Sequence, residues 1–344
     1  MKPMGSLSPL RLVNIGLLLV GLMTLLSIMA YIGPSKIYDV GANLGPIAIA
    51  LMLVPSTVMY VLDGLGWRFT LAQYQTAVPF VRLLMVRTAG EFLNTATPTA
   101  SVGGEPLKAA LLKTFSVPMG DGLASVIVAK TTMTLAQIMY IFLGLALWLF
   151  LLEDSPQSRG LSHWAMAGTA ALLLFSTGLF VVLQQRGLFA VLFAVVDKFP
   201  FRMGFLADRR EELRSLDALI AGFYRHRRAL FAWSAITFFG GWLMEAAEVY
   251  VMLRYLGQPI EVVTAVSIDA LCTLIKGGAF FIPGSVGVQE GGIVLLLKAF
   301  GYSDVTGISF ALLRRLRELV WMAVGVACFA LLSRGAAAQG AEGA

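Results

Sequence analysis

Long apolar runs separated by short polar connectors dominate the chain. A membrane-spanning helix needs about 20 consecutive, mainly apolar residues. Six segments meet that length: 10–32, 46–67, 120–151, 164–185, 229–253 and 305–333. Two further apolar stretches, 76–116 and 262–300, are interrupted near their middle by Pro and Gly. The breaks read Thr97-Pro98-Thr99-Ala100-Ser101-Val102-Gly103-Gly104 and Pro283-Gly284-Ser285-Val286-Gly287. Backbone released from a helix at that depth has to be buried in protein or line a wet cavity. Both stretches are therefore predicted as re-entrant helix–loop–helix hairpins. The first span is too long for a signal-peptide core and reads as an uncleaved anchor. The predicted fold class is an all-α polytopic membrane protein with about six spanning helices and two broken hairpins.

The two hairpins are related to each other. Moving the first along by 185 positions, with no gap, puts Pro98 on Pro283, Glu105 on Glu290, and Leu111-Leu112-Lys113 on Leu296-Leu297-Lys298. Phe115 then falls on Phe300 and Gly122 on Gly307, so 7 of 25 positions coincide, and Lys130 falls on Arg315. Three full spans separate the hairpins. An odd number makes them enter from opposite faces, which is the inverted-repeat architecture of many secondary transporters. A parallel repeat or an ordinary helical bundle is the alternative if one hairpin crosses. The expected organisation is one membrane domain over 1–344, with repeat 1 at about 46–151, repeat 2 at about 229–333, a connector at 186–228 and a disordered tail at 334–344.

Composition narrows the class. By length alone, 344 residues would suggest about two soluble domains. Yet only 13% of residues are charged and 58% are hydrophobic, with a mean hydropathy of +0.80. A soluble domain carries roughly 25% charged residues, so this chain cannot cover itself with a wet surface. The net charge of +6 reports orientation, not a nucleic-acid partner. With the N-terminus in the cytoplasm and each hairpin returning to its own side, 17 of the 26 Lys and Arg face the cytoplasm, Arg87, Lys108 and Lys113 among them. Four lie outside (Lys36, Arg159, Arg254, Lys298) and five within the membrane (Lys130, Lys276, Arg314, Arg315, Arg317). The positive-inside rule then predicts both termini in the cytoplasm of a cell inner membrane. Leu206, Leu213, Leu216, Leu219, Ile220 and Phe223 recur at helical spacing within the polar segment 204–228. That segment reads as an amphipathic surface helix or a plain connector helix. Trp67, Trp148, Trp164 and Trp233 lie near span ends and read as interfacial anchors.

Ionisable groups inside spans are costly and by default point to function. Arg314, Arg315, Arg317 and Glu318 lie in the last span; Arg314 is about 14 Å in from its start at 1.5 Å per residue. Lys130 and Lys276 add two more cations, and carboxylates stand at Glu91, Glu105, Asp121, Glu245, Glu248, Asp269 and Glu290. Glu245 and Glu248, three apart, share a helix face. One reading pairs Arg with Glu inside the bundle. The other has the cationic set exceed structural need and hold a phosphate, whose geometry the planar guanidinium matches. The half-helices expected to begin near Gly104 and Val288 would aim backbone N–H groups inward, which favours anions. Glu105 and Glu290 at those N-termini read either as caps or as groups that bind an ammonium or a coupling proton. Asn94, Thr97, Thr99 and Ser101 satisfy the broken backbone or contact a ligand. The candidate substrate-binding set also includes Pro98, Gly103, Gly104 and Lys108 in the first hairpin, and Pro283, Gly284 and Gly287 in the second.

Enzyme signatures are absent. There is no GxxxxGK[ST], G-x-S-x-G, H-E-x-x-H or Rossmann fingerprint. Cys272 and Cys328 sit in apolar runs and imply no disulfide framework, and the two His, His163 and His226, lie far apart. No metal or cofactor is expected.

Gly90-Glu91-Phe92-Leu93-Asn94, then Pro98, then Val102-Gly103-Gly104-Glu105-Pro106-Leu107-Lys108-Ala109 resembles the first signature of the lysylphosphatidylglycerol synthase/flippase transmembrane-region family. Pro283-Gly284-Ser285-Val286-Gly287-Val288-Gln289-Glu290-Gly291 resembles its second, P-G-x-x-G-x-x-E-G. The likeness spans roughly residues 10–333. It implies lipid translocation across an inner membrane, with Glu105 and Glu290 at the family's recurrent acidic positions and Gly103, Gly104 and Gly287 at its glycines. Synthases of this family carry a soluble aminoacyl-transferase domain after the membrane region. Here about ten residues follow the last span, so synthase activity is not expected. The expected function is a flippase for a phospholipid or isoprenoid-type anionic lipid. An intramembrane lipid-modifying transferase and an accessory subunit of a lipid-biosynthesis enzyme are the alternatives.

Overall fold

A computed structural model describes residues 33–96, 103–151, 210–278, 285 and 287–342, together with single helical positions at 23, 26, 30, 168, 171 and 178. The expected spans 10–32 and 164–185, the turn residues 97–102, and Pro283 and Gly284 otherwise lie outside the described residues, as does the first part of the connector.

Among the described residues there are nine α-helices and no strand. They are α1 (Pro34–Thr70), α2 (Phe80–Ala96), α3 (Glu105–Leu112), α4 (Met119–Leu151), α5 (Arg210–His226), α6 (Arg228–Tyr255), α7 (Val262–Gly278), α8 (Val288–Ala299) and α9 (Asp304–Glu342). Four of them hold stretches long and apolar enough to cross a membrane: Ile47–Thr70, Met119–Trp148, Arg228–Tyr255 and Asp304–Arg334. Prolines set several starts. Pro34 and Pro106 occupy first turns, where a missing N–H costs nothing, and Pro79 and Pro118 stand just before α2 and α4. α1 breaks at Gly45, immediately before Pro46, so its apolar part begins where the hydropathy pattern places it. α9 departs from expectation at its far end. It continues to Glu342, through the stretch read as a tail from 334. The run Gly335-Ala336-Ala337-Ala338 extends an already nucleated helix cheaply, because alanine has the highest helix propensity.

Packing follows a reciprocal pattern. α1 and α6 pair along their lengths, α2 lies on α9, and α7 lies on α4. α3 packs back on α2 and on α4, as α8 does on α7 and on α9. The shift of 185 that aligns the sequence motifs carries Thr70, the last residue of α1, onto Tyr255, the last of α6. It also carries Met119 onto Asp304, the first residues of α4 and α9.

Among the described residues the two largest apolar clusters lie at opposite ends of the long helices. One joins Trp67 and Leu71 at the end of α1 to Leu83 and Val86, Leu111 and Leu112, Val126, Phe238, and Phe329 late in α9. The other joins Ile141, Leu145 and Trp148 late in α4 to Val249 and Leu253, Ile268, Leu296 and Leu297, and Phe310 early in α9. Leu83, Leu111 and Leu112 of the first correspond under the shift to Ile268, Leu296 and Leu297 of the second, and all six are buried. The middle of the bundle, between these cores, holds the polar residues. Trp67 and Trp148 belong to the cores and not to an exposed interfacial belt, because the helix ends that carry them are covered by neighbours. Trp233 is exposed as expected.

α5 is the amphipathic segment. Glu211 and Glu212 open it and Arg225 and His226 close it, each sign matching the helix dipole. Its apolar stripe Leu216, Ile220 and Phe223 is buried against Ala124 and Val128 of α4, so protein covers that face.

Candidate functional site

Midway along the helices a cavity of about 390 Å³ opens between two helix quartets, α1–α4 and α6–α9. That volume lies in the range of small-molecule sites. Each wall is one helix face, set by helical spacing. Lys130, Met133, Thr134 and Gln137 project from α4, and Arg314, Arg317, Glu318, Trp321 and Met322 from α9. α1 contributes Met59, Tyr60 and Asp63; α2 contributes Arg87, Glu91, Asn94 and Thr95. α6 brings Gly241, Trp242 and Glu245, α7 brings Thr273, Lys276 and Gly277, and Ser285 lies at the second turn. Tyr60 and Trp321 stack with centroids 3.8 Å apart, and the Arg87 guanidinium sits 5.0 Å over the Tyr60 ring.

Charges in this layer are tied together. Arg87 bonds Asp63, and Arg314 bonds Asp269, which also accepts a hydrogen bond from the Tyr140 hydroxyl at 2.9 Å. Arg317 reaches Glu248 at 2.8 Å and Glu245 at 3.4 Å. Lys276 stands 3.4 Å from Glu318. Among the described residues these ion pairs hold eight carboxylates (Asp63, Glu91, Glu105, Glu245, Glu248, Asp269, Glu290, Glu318) and seven cations (Arg87, Lys108, Lys130, Lys276, Arg314, Arg315, Arg317). Of the two sequence readings, pairing of cations with carboxylates inside the bundle accounts for each of these seven cations. The guanidiniums keep donors in reserve all the same. Arg87 Nη1, Arg314 Nε and Arg317 Nε are buried with no partner among the described residues.

The helix pairs α2–α3 and α7–α8 carry matching clusters. In the first, Gly104 N–H donates to Asn94 Oδ1 at 2.7 Å, and Asn94 Nδ2 donates to Glu105 at 3.1 Å. Lys108 bridges Glu91 at 2.6 Å and Glu105 at 3.2 Å, with Lys130 at 3.8 Å from Glu105. α2 and α3 approach so closely that a Cβ on Gly104 would collide with the Gly90 carbonyl oxygen. In the second, Gly287 takes φ 82°, a left-handed value that favours glycine, and its N–H donates to Glu290 at 2.7 Å. Glu290 pairs with Arg315, whose Nη1 lies 2.6 Å from Glu318, and Gln289 donates to Glu318 at 3.0 Å. The ion pairs Glu105–Lys130 and Glu290–Arg315 are thus equivalent under the shift of 185.

Of the sequence-predicted residues, Glu91, Asn94, Lys130, Lys276, Arg314, Arg317 and Glu318 line the cavity. Gly104, Glu105 and Lys108 lie behind it at the start of α3, and Gly287 and Glu290 at the start of α8 form the corresponding cluster with Arg315 of α9. Gly103 is described in the turn before α3; Thr97, Pro98, Pro283 and Gly284 fall outside the described residues. Arg87 and Lys108, assigned to the cytoplasm by charge counting, are buried at 5% and 6% exposure because Asp63 and Glu91 hold them inward. Tyr60, Asp63, Arg87, Gln137 and Trp242 were not singled out from sequence. Asp63 had a legible signal: it is the one charge inside the apolar stretch 46–67. Among the described residues no group of three or more His, Cys, Asp or Glu is arranged to hold a metal ion.

Comparison with known proteins completes the description. The family model for the lysylphosphatidylglycerol synthase TM region matches residues 13–326. A UPF0104 membrane protein of Methanothermobacter thermautotrophicus is 23% identical over 323 residues, covering 90% of this chain and 93% of the relative. A UPF0104 membrane protein of Methanocaldococcus jannaschii is 23% identical over 318 residues, covering 87% and 89%. A second M. thermautotrophicus UPF0104 membrane protein is 26% identical over 275 residues, covering 74% and 75%. No solved structure matches. With a match across nearly its whole length and four apolar helices around a charged middle layer, this multi-pass membrane protein belongs to the lysylphosphatidylglycerol synthase TM region family.

Proposed function

We propose that the protein is a lipid flippase that carries a phospholipid or lipid-linked anionic headgroup through the central cavity, its acyl chains remaining in the bilayer. The observation that carries this reading is the cavity itself. It lies between two corresponding helix quartets, midway along apolar helices, and five cations line it. Family membership supports the same reading. The two quartets are read as an inverted repeat with re-entrant hairpins α2–α3 and α7–α8. The reciprocal packing of α2 on α9 and α7 on α4, and the equivalent ion pairs, support that reading. Rocking of one quartet against the other would expose the cavity alternately. Both termini are read as cytoplasmic in an inner membrane. A carrier is favoured over an intramembrane transferase because each described carboxylate lining the cavity (Asp63, Glu91, Glu245, Glu318) is tied to a cation of the same layer.

The test is reconstitution in phosphatidylcholine vesicles containing acyl-chain fluorescent phosphatidylglycerol. Dithionite quenching reads the lipid that crosses. Wild-type protein is expected to accelerate crossing, and Lys130→Gln, which removes a half-exposed cavity cation without orphaning a fully buried partner, to slow it severalfold. Equal rates for the variant, with its folding intact, would remove Lys130 from the site. No acceleration by wild type over empty vesicles would refute the flippase reading for this lipid.

A further inference from the structure

Beside the cavity, α6, α7 and α9 bring together three carboxylates, Glu245, Glu248 and Asp269, and two guanidiniums, Arg314 and Arg317. Glu245 stands at the cavity wall, whereas Glu248 and Asp269 are 0% exposed behind it. One Glu248 oxygen accepts from Arg317 at 2.8 Å; the other, Oε1, is buried with no partner among the described residues. Arg314 Nε and Arg317 Nε are likewise unpartnered, in side chains 4% and 7% exposed. Spare acceptor and spare donors thus sit together, with one carboxylate more than the guanidiniums can neutralise.

A headgroup phosphate that enters the cavity finds Arg317 bonded to Glu248 and Glu245 through Nη1 alone, with its Nε and that of Arg314 unpartnered among the described residues. Taking hydrogen bonds from those donors, it adds a negative charge to a cluster that already holds three carboxylates against two guanidiniums. A buried carboxylate that has to share its guanidinium with a second anion pays a heavy desolvation cost as an anion and little as a neutral acid, so it binds a proton. Glu248 is the group in this position. The charged and titratable groups facing it are Glu245 on its own helix, Asp269 from α7, and Arg314 and Arg317 from α9; on α1, Asp63 is committed to Arg87, and on α4, Tyr140 donates to Asp269. Arg314, the other guanidinium facing Glu248, already neutralises Asp269, so no second cation among the described residues offsets the added charge. Glu245, at the cavity wall three residues away on the same face, is the entry point for the proton from cavity water.

We propose that Glu248 is a proton-binding site linked to anion binding at Arg317 and Arg314, so that one proton accompanies each phosphate-bearing headgroup across the membrane. The proton comes from the aqueous phase to which the cavity is open, and returns to water on the opposite side when the phosphate leaves and Arg317 no longer shares its charge between Glu248 and the phosphate. This coupling rests on the flippase reading above, but the proton site is testable without transport.

The first arm uses the full chain in detergent and glycerophosphoglycerol, a phosphodiester that stays a monoanion. Calorimetric titration in two buffers of different ionisation enthalpy counts protons taken up on binding. Wild type is expected to take up about one proton per phosphodiester bound, and Glu248→Gln about none. Binding without uptake by wild type, or no binding, overturns the proposal, and neither outcome needs the variant to fold. The second arm uses the fluorescent phosphatidylglycerol vesicles with a pH gradient of one unit. Coupling of one proton per lipid sustains about a tenfold asymmetry of lipid between leaflets, and the ratio falls to one in Glu248→Gln whatever its basal rate. Wild-type lipid movement indifferent to the gradient overturns the coupling. Proton uptake in detergent with no lipid movement in any vesicle keeps the proton site and sinks the flippase reading instead.

Discussion

The pair Arg314–Asp269 offers the sharpest energetic test of the charged layer. Asp269 is fully buried and Arg314 is 4% exposed, so water screens neither. Replacing Asp269 by Leu leaves a buried guanidinium without its carboxylate and the Tyr140 hydroxyl with only the longer contact to the Val266 carbonyl, at 3.4 Å. Breaking one side of a buried pair costs about 3–5 kcal/mol, because the remaining charge stays desolvated. At about 2 °C per kcal/mol, the low end of the range for larger chains, Asp269→Leu is expected to lower the detergent melting temperature by about 6–10 °C. Replacing both partners, Asp269→Leu with Arg314→Met, removes the stranded charge and keeps the volume. The double variant is expected to recover at least about 2 kcal/mol of that loss, since apolar replacements of buried pairs are often neutral. Full recovery is not expected, as Arg314 also lies 5.4 Å over the Phe310 ring and near Glu245 and Glu248. The assay is thermal unfolding of wild type, both single variants and the double, read as a double-mutant cycle. A melting temperature within about 2 °C of wild type for Asp269→Leu, or strictly additive effects in the double variant, would refute the view that these helices are held by mutually desolvated charges.

Other expectations follow from the same geometry. In a background with Cys272 and Cys328 changed to Ala, Gln73→Cys and Gln258→Cys lie at equivalent connector positions; they should label from opposite membrane faces in intact cells and inverted vesicles, and labelling from one face would exclude the inverted arrangement. Gly104→Ala forces a methyl into the backbone carbonyl of Gly90, which cannot rotate away, and should destabilise strongly in thermal melts. Gly291→Ala, on an exposed helix face with nothing within 4 Å of the new methyl, should be neutral or stabilising by up to about 1 kcal/mol. Phe223→Ala removes a buried anchor of α5 and should cost about 3 kcal/mol or more, seen as faster limited proteolysis near 210–226; unchanged proteolysis would mean that α5 is held by its other contacts.

Much of the fold was legible because lipid imposes a strict local code. Hydropathy located the long helices α1, α4, α6 and α9, and Pro and Gly located the starts of α3 and α8 at Glu105 and Val288. The motif shift of 185 also anticipated helix boundaries, since Met119 and Asp304 begin equivalent helices. The site was legible only in part. Arg314, Arg317, Lys130 and Glu318 stood out as charges in apolar runs. Arg87 did not, because a Lys or Arg near a polar connector counts as cytoplasmic until its partner is known. Asp63, one helix away, is that partner. The helix α9 runs on to Glu342, past the apolar span that ends at Arg334 and that hydropathy alone marks.

By itself, the sequence determined that the protein is helical and membrane-embedded, that it contains two related broken segments, and which residue types sit at polar breaks in apolar runs. These follow from spacing and hydropathy, which are local quantities. Tertiary structure alone decided which charge meets which. It made Arg87 a cavity residue, placed Glu105 and Arg315 beside the cavity and not in its wall, and matched seven cations with eight carboxylates in a set of neighbouring ion pairs. Electrostatic energy in a dry interior depends on distances of a few ångströms between groups far apart in the chain, and no pattern along one strand of sequence carries those distances.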